Sequence, residues 1–164
     1  MISFKEDGKK FNFRVGAVIL SQDKKKVLLH TIKGYGFYLL PGGRVEWLEN
    51  SLNAVKRELE EELGLTNINP RPIAVYENFF NFLDSDFHEV SNNFVVELDK
   101  EHAFLEEKET FNGVEGEKYI YQWCDLDKLD QVELKPLVLK EIILDYDKPI
   151  AFYELKDNKK ETKF

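Results

Sequence analysis

The sequence predicts a single α/β domain, and three observations carry that prediction. Short strand-like runs recur from the amino terminus to residue 123, and a helix-periodic stretch over residues 50–63 interrupts them. A second helical stretch follows at residues 137–146, entered through Pro136. With 164 residues the chain fits one compact domain well and two poorly. The domain is placed at residues 1–155, with a solvated, loosely held tail over 156–164 that begins Lys156-Asp157-Asn158-Lys159-Lys160-Glu161. Neither an internal repeat nor a low-complexity linker divides it.

The elements follow in order. Asp7-Gly8 separates Ile2-Ser3-Phe4 from the run Phe11 to Leu20, which reads as a hairpin opening a sheet. Val27 to Ile32 is a second strand-like run, and Gly34 and Gly36 mark a loop before Phe37-Tyr38-Leu39-Leu40. Pro41-Gly42-Gly43 breaks that segment sharply. The helix from Asn50 to Leu63 has Asn50 placed as its N-cap and Gly64 as its stop. Strands resume around Ile73 to Phe82, Asn93 to Leu98 and Tyr119 to Trp123.

A hydrophobic fraction of 43% with 13% aromatic residues is enough for a core. The net charge of -8 disfavours nucleic acid or an anionic membrane as partner. It leaves room for a small phosphorylated substrate, because a bound divalent cation reverses the local sign of a site. One cysteine, Cys124, permits no intrachain disulfide. No signal-like or membrane-length apolar run is present, so a cytoplasmic location is expected. The sequence leaves a homodimer open.

The helix carries the chemistry. On a wheel of ~100° per residue, Leu48, Leu52, Val55, Leu59 and Leu63 fall in a sector about 80° wide, the expected buried stripe. Asn53, Lys56 and Glu60 fall on the far side. Glu58, Glu61 and Glu62 form a third group where core meets solvent. Three carboxylates at i,i+3 and i,i+4 spacing repel one another, and a hard divalent cation removes the conflict. A solvated acidic helix face is the alternative for three glutamates taken alone.

The surrounding residues narrow the choice. Gly43, Glu49, Arg57-Glu58-Leu59, Glu61-Glu62 and Gly64-Leu65 are spaced as G-x5-E-x7-R-E-U-x-E-E-x-G-U, with U aliphatic. This resembles the Nudix box at every specified position, a match on the order of one in ten million by chance at ordinary residue usage. The resemblance implies an α/β/α sandwich with a mixed sheet, the box forming a loop–helix–loop. It implies hydrolysis of a diphosphate linkage in a nucleoside diphosphate derivative, with Mg²⁺ as cofactor and Mn²⁺ as substitute. Glu58, Glu61 and Glu62 match the metal-binding glutamates, and the carbonyl of Gly42 often joins them. Arg57 and Glu49 match residues that support those glutamates.

A carboxylate must also take the proton of the attacking water. Within the box Glu58 or Glu61 could do so, but many relatives use a later loop. Here Glu115 and Glu117, in Gly113-Val114-Glu115-Gly116-Glu117, are the candidates, with Glu89 a weaker third. Arg44, directly after the glycine pair, is the best-placed phosphate contact; Arg14, Lys33 and Lys118 are others. One or two aromatics among Tyr35, Phe37, Tyr38, Trp47, Tyr76, Phe79, Phe80, Phe82 and Phe87 can stack on a base, the rest forming core. His30, His88 and His102 lack metal-ligand spacing, and Cys124 reads as core.

Relatives that cleave ADP-ribose often carry a proline about fifteen residues beyond the box. Tyr76 to Phe82 contains none, which weighs against that substrate. Two other classes share the fold: a catalytically silent nucleotide-sensing module and an isomerase. The first usually loses box glutamates, which this chain keeps, and the second needs a proton donor such as a cysteine in the pocket.

Overall fold

In the computed structural model, which describes residues 1–157 and 159–163, one mixed sheet organises the chain. Its strands are β1 (Ser3–Glu6), β2 (Lys9–Leu20), β3 (Lys26–Ile32), β4 (Gly42–Arg44), β5 (Arg71–Phe82) and β6 (Ser85–Glu97). They continue as β7 (Thr110–Gly113), β8 (Gly116–Asp125), β9 (Ala151–Lys156) and β10 (Lys159–Lys163). The helices are α1 (Ser51–Leu63) and α2 (Leu139–Leu144), with short 3-10 turns at Lys100–Glu106 and Leu126–Gln131. The spatial order is β10-β9-β5-β6-β2-β3-β8-β7, with β1 and β4 both on β2. β2 runs parallel to β6, and β5 to β9; the other pairs are antiparallel.

Alternation along β2 builds both layers of core. Val15, Ala17 and Ile19 pack with Ala54, Val55, Leu59 and Leu63 of α1. Val18 and Leu20 point the other way, into the cluster that holds Leu139, Ile142 and Ile143 of α2. The sheet is therefore covered by a helix on each face, the sandwich that the box implies.

The sheet opens where the functional residues lie. β2 and β3 pair only through Ile19↔Leu28 and Leu20↔Val27 and then part. The freed edge of β2 takes β4, through Arg14↔Arg44, Val15↔Gly43 and Gly16↔Gly42. β3 continues against β8 and is bridged by Leu39 at His30. A cleft results, and Glu58 and Glu62 of α1 line it.

Several expectations need correction. Leu48 is fully exposed because it precedes α1, which begins at Ser51, in a turn where its φ is +64°; Leu52, in the first turn of α1, is 40% exposed. The buried positions are Ala54, Val55, Leu59, Glu62 and Leu63, so the buried stripe is rotated towards the carboxylates. Residues 37–40 form isolated bridges rather than a strand, and α2 is shorter than residues 137–146. β6 starts well before Asn93, because its outer half pairs with both β2 and β5. Residues 159–163 pair as β10 against β9, with Lys160 and Lys163 bonded to Glu141, so they are more closely held than their polar composition suggests. Asn158 and Phe164 of the expected tail lie outside the described residues.

Candidate active site

The box folds into a loop, a helix and a helix stop whose parts are locally determined. The side chain of Asn50 accepts from the Asn53 backbone N–H at 2.8 Å, capping α1, and Gly64 ends it in the left-handed conformation. This fixes which way the glutamates leave the helix.

Arg57 is the hub of the site. Its guanidinium donates to Glu49 at 2.9 and 3.0 Å, to Glu58 at 2.9 Å, to Glu61 at 3.1 Å and to the Arg44 carbonyl at 3.1 Å. Charge-assisted bonds of this kind hold both partners in place. The arginine pulls the Glu49 carboxyl below its usual range, and Glu49 in turn accepts from the Glu46 N–H at 3.0 Å. The loop before the helix is thereby tied to the helix.

Glu62 is 4% exposed, and its carboxylate accepts from the Gly42 N–H at 3.1 Å. Burial pushes its pKa up to about 8, with the neighbouring charges of Glu58 and Glu115 adding to the effect. Glu58 is also raised, chiefly by burial, against the opposing pull of Arg57. Its carboxylate lies against Gly43 so closely that a Cβ there would overlap it. Glu61 is half-exposed and reaches Arg57 only.

This donor set fits a hard divalent cation. The ligands are all oxygen, and a carboxylate buried like Glu62 is costly to ionise unless a positive charge sits beside it. In the structure the Gly42 amide supplies part of that compensation to Glu62, while Arg57 serves Glu58. Elsewhere, the donor atoms of Asp99, Glu101 and His102 lie within 4.8 Å of one another. They belong to a capping network: His102 Nδ1 accepts from the Asp99 N–H at 3.3 Å and Nε2 donates to the Thr66 carbonyl at 2.9 Å. Both ring nitrogens are committed, which leaves no lone pair for a metal.

A cavity of about 710 Å³ opens above the box and is lined by Gly42, Gly43, Arg44, Glu58, Glu62 and Glu115. Of the two loop glutamates, only Glu115 reaches it. The Val114 N–H donates to the Glu62 carbonyl at 2.8 Å, and Gly113 packs against the same carbonyl and the Tyr121 ring with no room for a side chain. The β7–β8 hairpin is thus pinned to the end of α1, with Glu115 at the cavity rim. Glu117 faces a separate depression beside Lys33, Phe111 and Ile120.

The remaining wall was only partly anticipated. Arg14, 3.8 Å from the buried Glu89, lines the cavity with Asn12, Ser91, Asn93 and Tyr76. The Tyr76 hydroxyl donates to Glu89 at 3.5 Å, so Glu89 is engaged in the wall. The sequence carried a signal for these residues: beyond Lys9, which opens the strand, Lys10, Asn12 and Arg14 are polar at every second position among apolar residues. Aromatic rings frame the mouth, with Tyr35 stacked on Phe37 at 5.5 Å and Phe80 on Phe87 at 4.9 Å. Lys118 lines the cavity and lies 5.0 Å over Tyr119, whereas Lys33 lies at the other depression. His30 is buried against Tyr119, and burial lowers its pKa to about 3, leaving it neutral. Trp47 and Phe79 are exposed away from the cavity lining, and Cys124 is buried in the core.

Comparison with known proteins agrees with this geometry. Residues 10–146 match the model of the NUDIX domain. The uncharacterized Nudix hydrolase YvcI of Bacillus subtilis is 28% identical over 124 residues, 75% of this chain and 72% of its own. Among solved structures, the mutator MutT protein of Bacillus halodurans superposes with a TM-score of 0.68 at 18% identity, covering 93% of this chain and 96% of its own. The NUDIX domain of Shewanella oneidensis NrtR, solved in complex with ADP ribose, gives 0.61 at 19% identity over 87% of this chain and 89% of its own. No helix among the described residues is long and apolar enough to cross a membrane.

Proposed function

The chain belongs to the Nudix family of pyrophosphohydrolases, and from that membership we propose that it cuts the diphosphate linkage of a nucleoside diphosphate derivative, releasing a nucleoside monophosphate and a second phosphorylated product. The observation that carries this reading is the buried Glu62 carboxylate, set beside Glu58 in the wall of a cavity whose rim holds Glu115.

Glu58, Glu61 and Glu62, with the Gly42 carbonyl, would hold Mg²⁺, or Mn²⁺ in its place. A cation bound there neutralises charge on the phosphoryl oxygens. Arg57 and Glu49 keep the glutamates in register. Arg44 is a contact for a phosphate group of the substrate, whether in the diphosphate or beyond it, and the aromatic rings at the mouth hold the nucleobase. Glu115 takes the proton as a water oxygen bonds to phosphorus and the anhydride oxygen leaves. The ADP ribose bound by the NrtR domain supports a nucleotide-type substrate.

The test is a panel of nucleoside diphosphate derivatives incubated with the protein and resolved by product. Turnover is expected with Mg²⁺ or Mn²⁺ and none with Ca²⁺, because both active ions accept octahedral oxygen ligands at short distance. Full activity in excess chelator would overturn the reading.

Arg57→Lys is expected to lower kcat/KM by roughly 10- to 100-fold with the helix still folded, since a lysine cannot replace a fork that serves three carboxylates and a carbonyl. Circular dichroism and steady-state kinetics on the same preparation check it. Wild-type kinetics would show that Arg57 positions nothing that matters.

A further inference from the structure

The outer end of the cavity is positively charged in a way that the fold itself does not require. Alternation along β2 turns Lys10, Asn12 and Arg14 to one face. Lys10 stands directly opposite Lys5 on β1, and Arg14 directly opposite Arg44 on β4. Like charges facing each other across antiparallel strands are destabilising. Acidic residues outnumber basic ones in this chain, 31 to 23, so partners were not scarce.

Arg14 has Glu89. Lys5, Lys10 and Arg44 have no ion pair among the described residues, although all three line the cavity. Among the described residues the Arg44 guanidinium donates only to the Met1 sulfur, at 3.1 Å and a weak acceptor, and the Lys10 ammonium lies 5.4 Å over the Phe87 ring. Burial, with the charges of Arg44 and Lys5, holds the Lys10 pKa below its usual value, as expected of cations crowded together. Glu46 lines the same cavity without pairing to any of them. Lys5 precedes residue 10, where the family match begins, so the row extends beyond the family's common frame.

We propose that Lys5, Lys10 and Arg44 form a second phosphate subsite, which takes a phosphate group of the substrate separate from the scissile diphosphate. The subsite rests on the reading of this cavity as the active site and narrows its substrate class. That class is a nucleotide derivative with an additional phosphate, carried either on a longer polyphosphate chain or on a sugar hydroxyl.

Two pairs of substrates separate those sources: ADP against ATP, and ADP-ribose against its 2′-phosphate. Replacing Lys5 and Lys10 together by serine is expected to lower kcat/KM about tenfold on the extra-phosphate member of at least one pair, and under about twofold on its partner. A response confined to ATP assigns a polyphosphate chain, and one confined to the 2′-phosphate assigns a sugar phosphate. Lys9→Ser is the control, since it removes a charge from the same strand at a position opposite Glu6 and outside the cavity lining. A second readout needs no turnover: titration calorimetry with inorganic tripolyphosphate in chelator, where Kd should rise about tenfold in the double variant and stay unchanged in Lys9→Ser. Equal losses on both members of each pair, or a Kd unchanged or equally changed by Lys9→Ser, would overturn the subsite. Absence of turnover on every substrate with the Kd difference intact would overturn the reaction and leave the subsite standing. Should the double variant melt early, Lys5→Ser and Lys10→Ser singly carry the same comparison.

Discussion

Glu58→Gln is expected to lower kcat by roughly 10²-fold or more, while Glu60→Gln stays within about twofold of the parent. The two residues share a helix but not a face. Glu58 is largely buried, lies against Gly43 and bonds to Arg57, whereas Glu60 points to solvent. A glutamine at 58 keeps the shape but loses the charge that a cation needs. Glu61→Gln should fall with Glu58→Gln. Both variants should melt close to the parent, because each removes a negative charge that repels a neighbour, Glu58 against Glu62 and Glu61 against Glu58. Steady-state rates at saturating Mg²⁺ decide it. If Glu58→Gln and Glu60→Gln behaved alike, the assignment of the metal face would be wrong.

The second large effect concerns the base. Glu115→Gln should reduce kcat by roughly 10²–10⁴-fold with little change in stability or in metal affinity. Glu117→Gln should be nearly silent, since Glu117 looks into a different depression. The motive is that carboxylates engaged with a cation have their lone pairs committed. Glu115 is exposed at the cavity rim and has no ion pair among the described residues, so it is free to accept a proton. Mg²⁺ titration of each variant separates loss of chemistry from loss of metal. Full activity in Glu115→Gln, with Glu58→Gln or Glu61→Gln alone dead, would put the base inside the box.

The site divides into parts that short-range chemistry determines and parts that it does not. Asn50, Gly64 and the spacing from Gly43 to Leu65 are local, and the caps, the helix and the carboxylate face could be read from them. Glu115 and Glu117 could not be told apart, because the distinction depends on where the β7–β8 hairpin turns and on the Val114 bond to Glu62. The polar wall was harder still. Asn12, Arg14, Glu89 and Ser91 meet only because β2 and β6 lie parallel, and that pairing joins segments far apart in sequence. The buried stripe was misplaced by the two leucines at 48 and 52, which sit before and at the start of the helix rather than over the sheet.

The placement of β1 has a practical consequence for anyone handling this protein. Met1 and Lys5 line the cavity, so a peptide fused ahead of Met1 begins at the cavity's edge. A purification tag there would compete for the opening or screen its charges, and kinetic constants from such a fusion would describe the tag as much as the enzyme. Trimming the first nine residues, back to where the family match begins, would delete the same wall. β10 at the other end contributes nothing to the cavity lining among the described residues, and that is where a handle belongs.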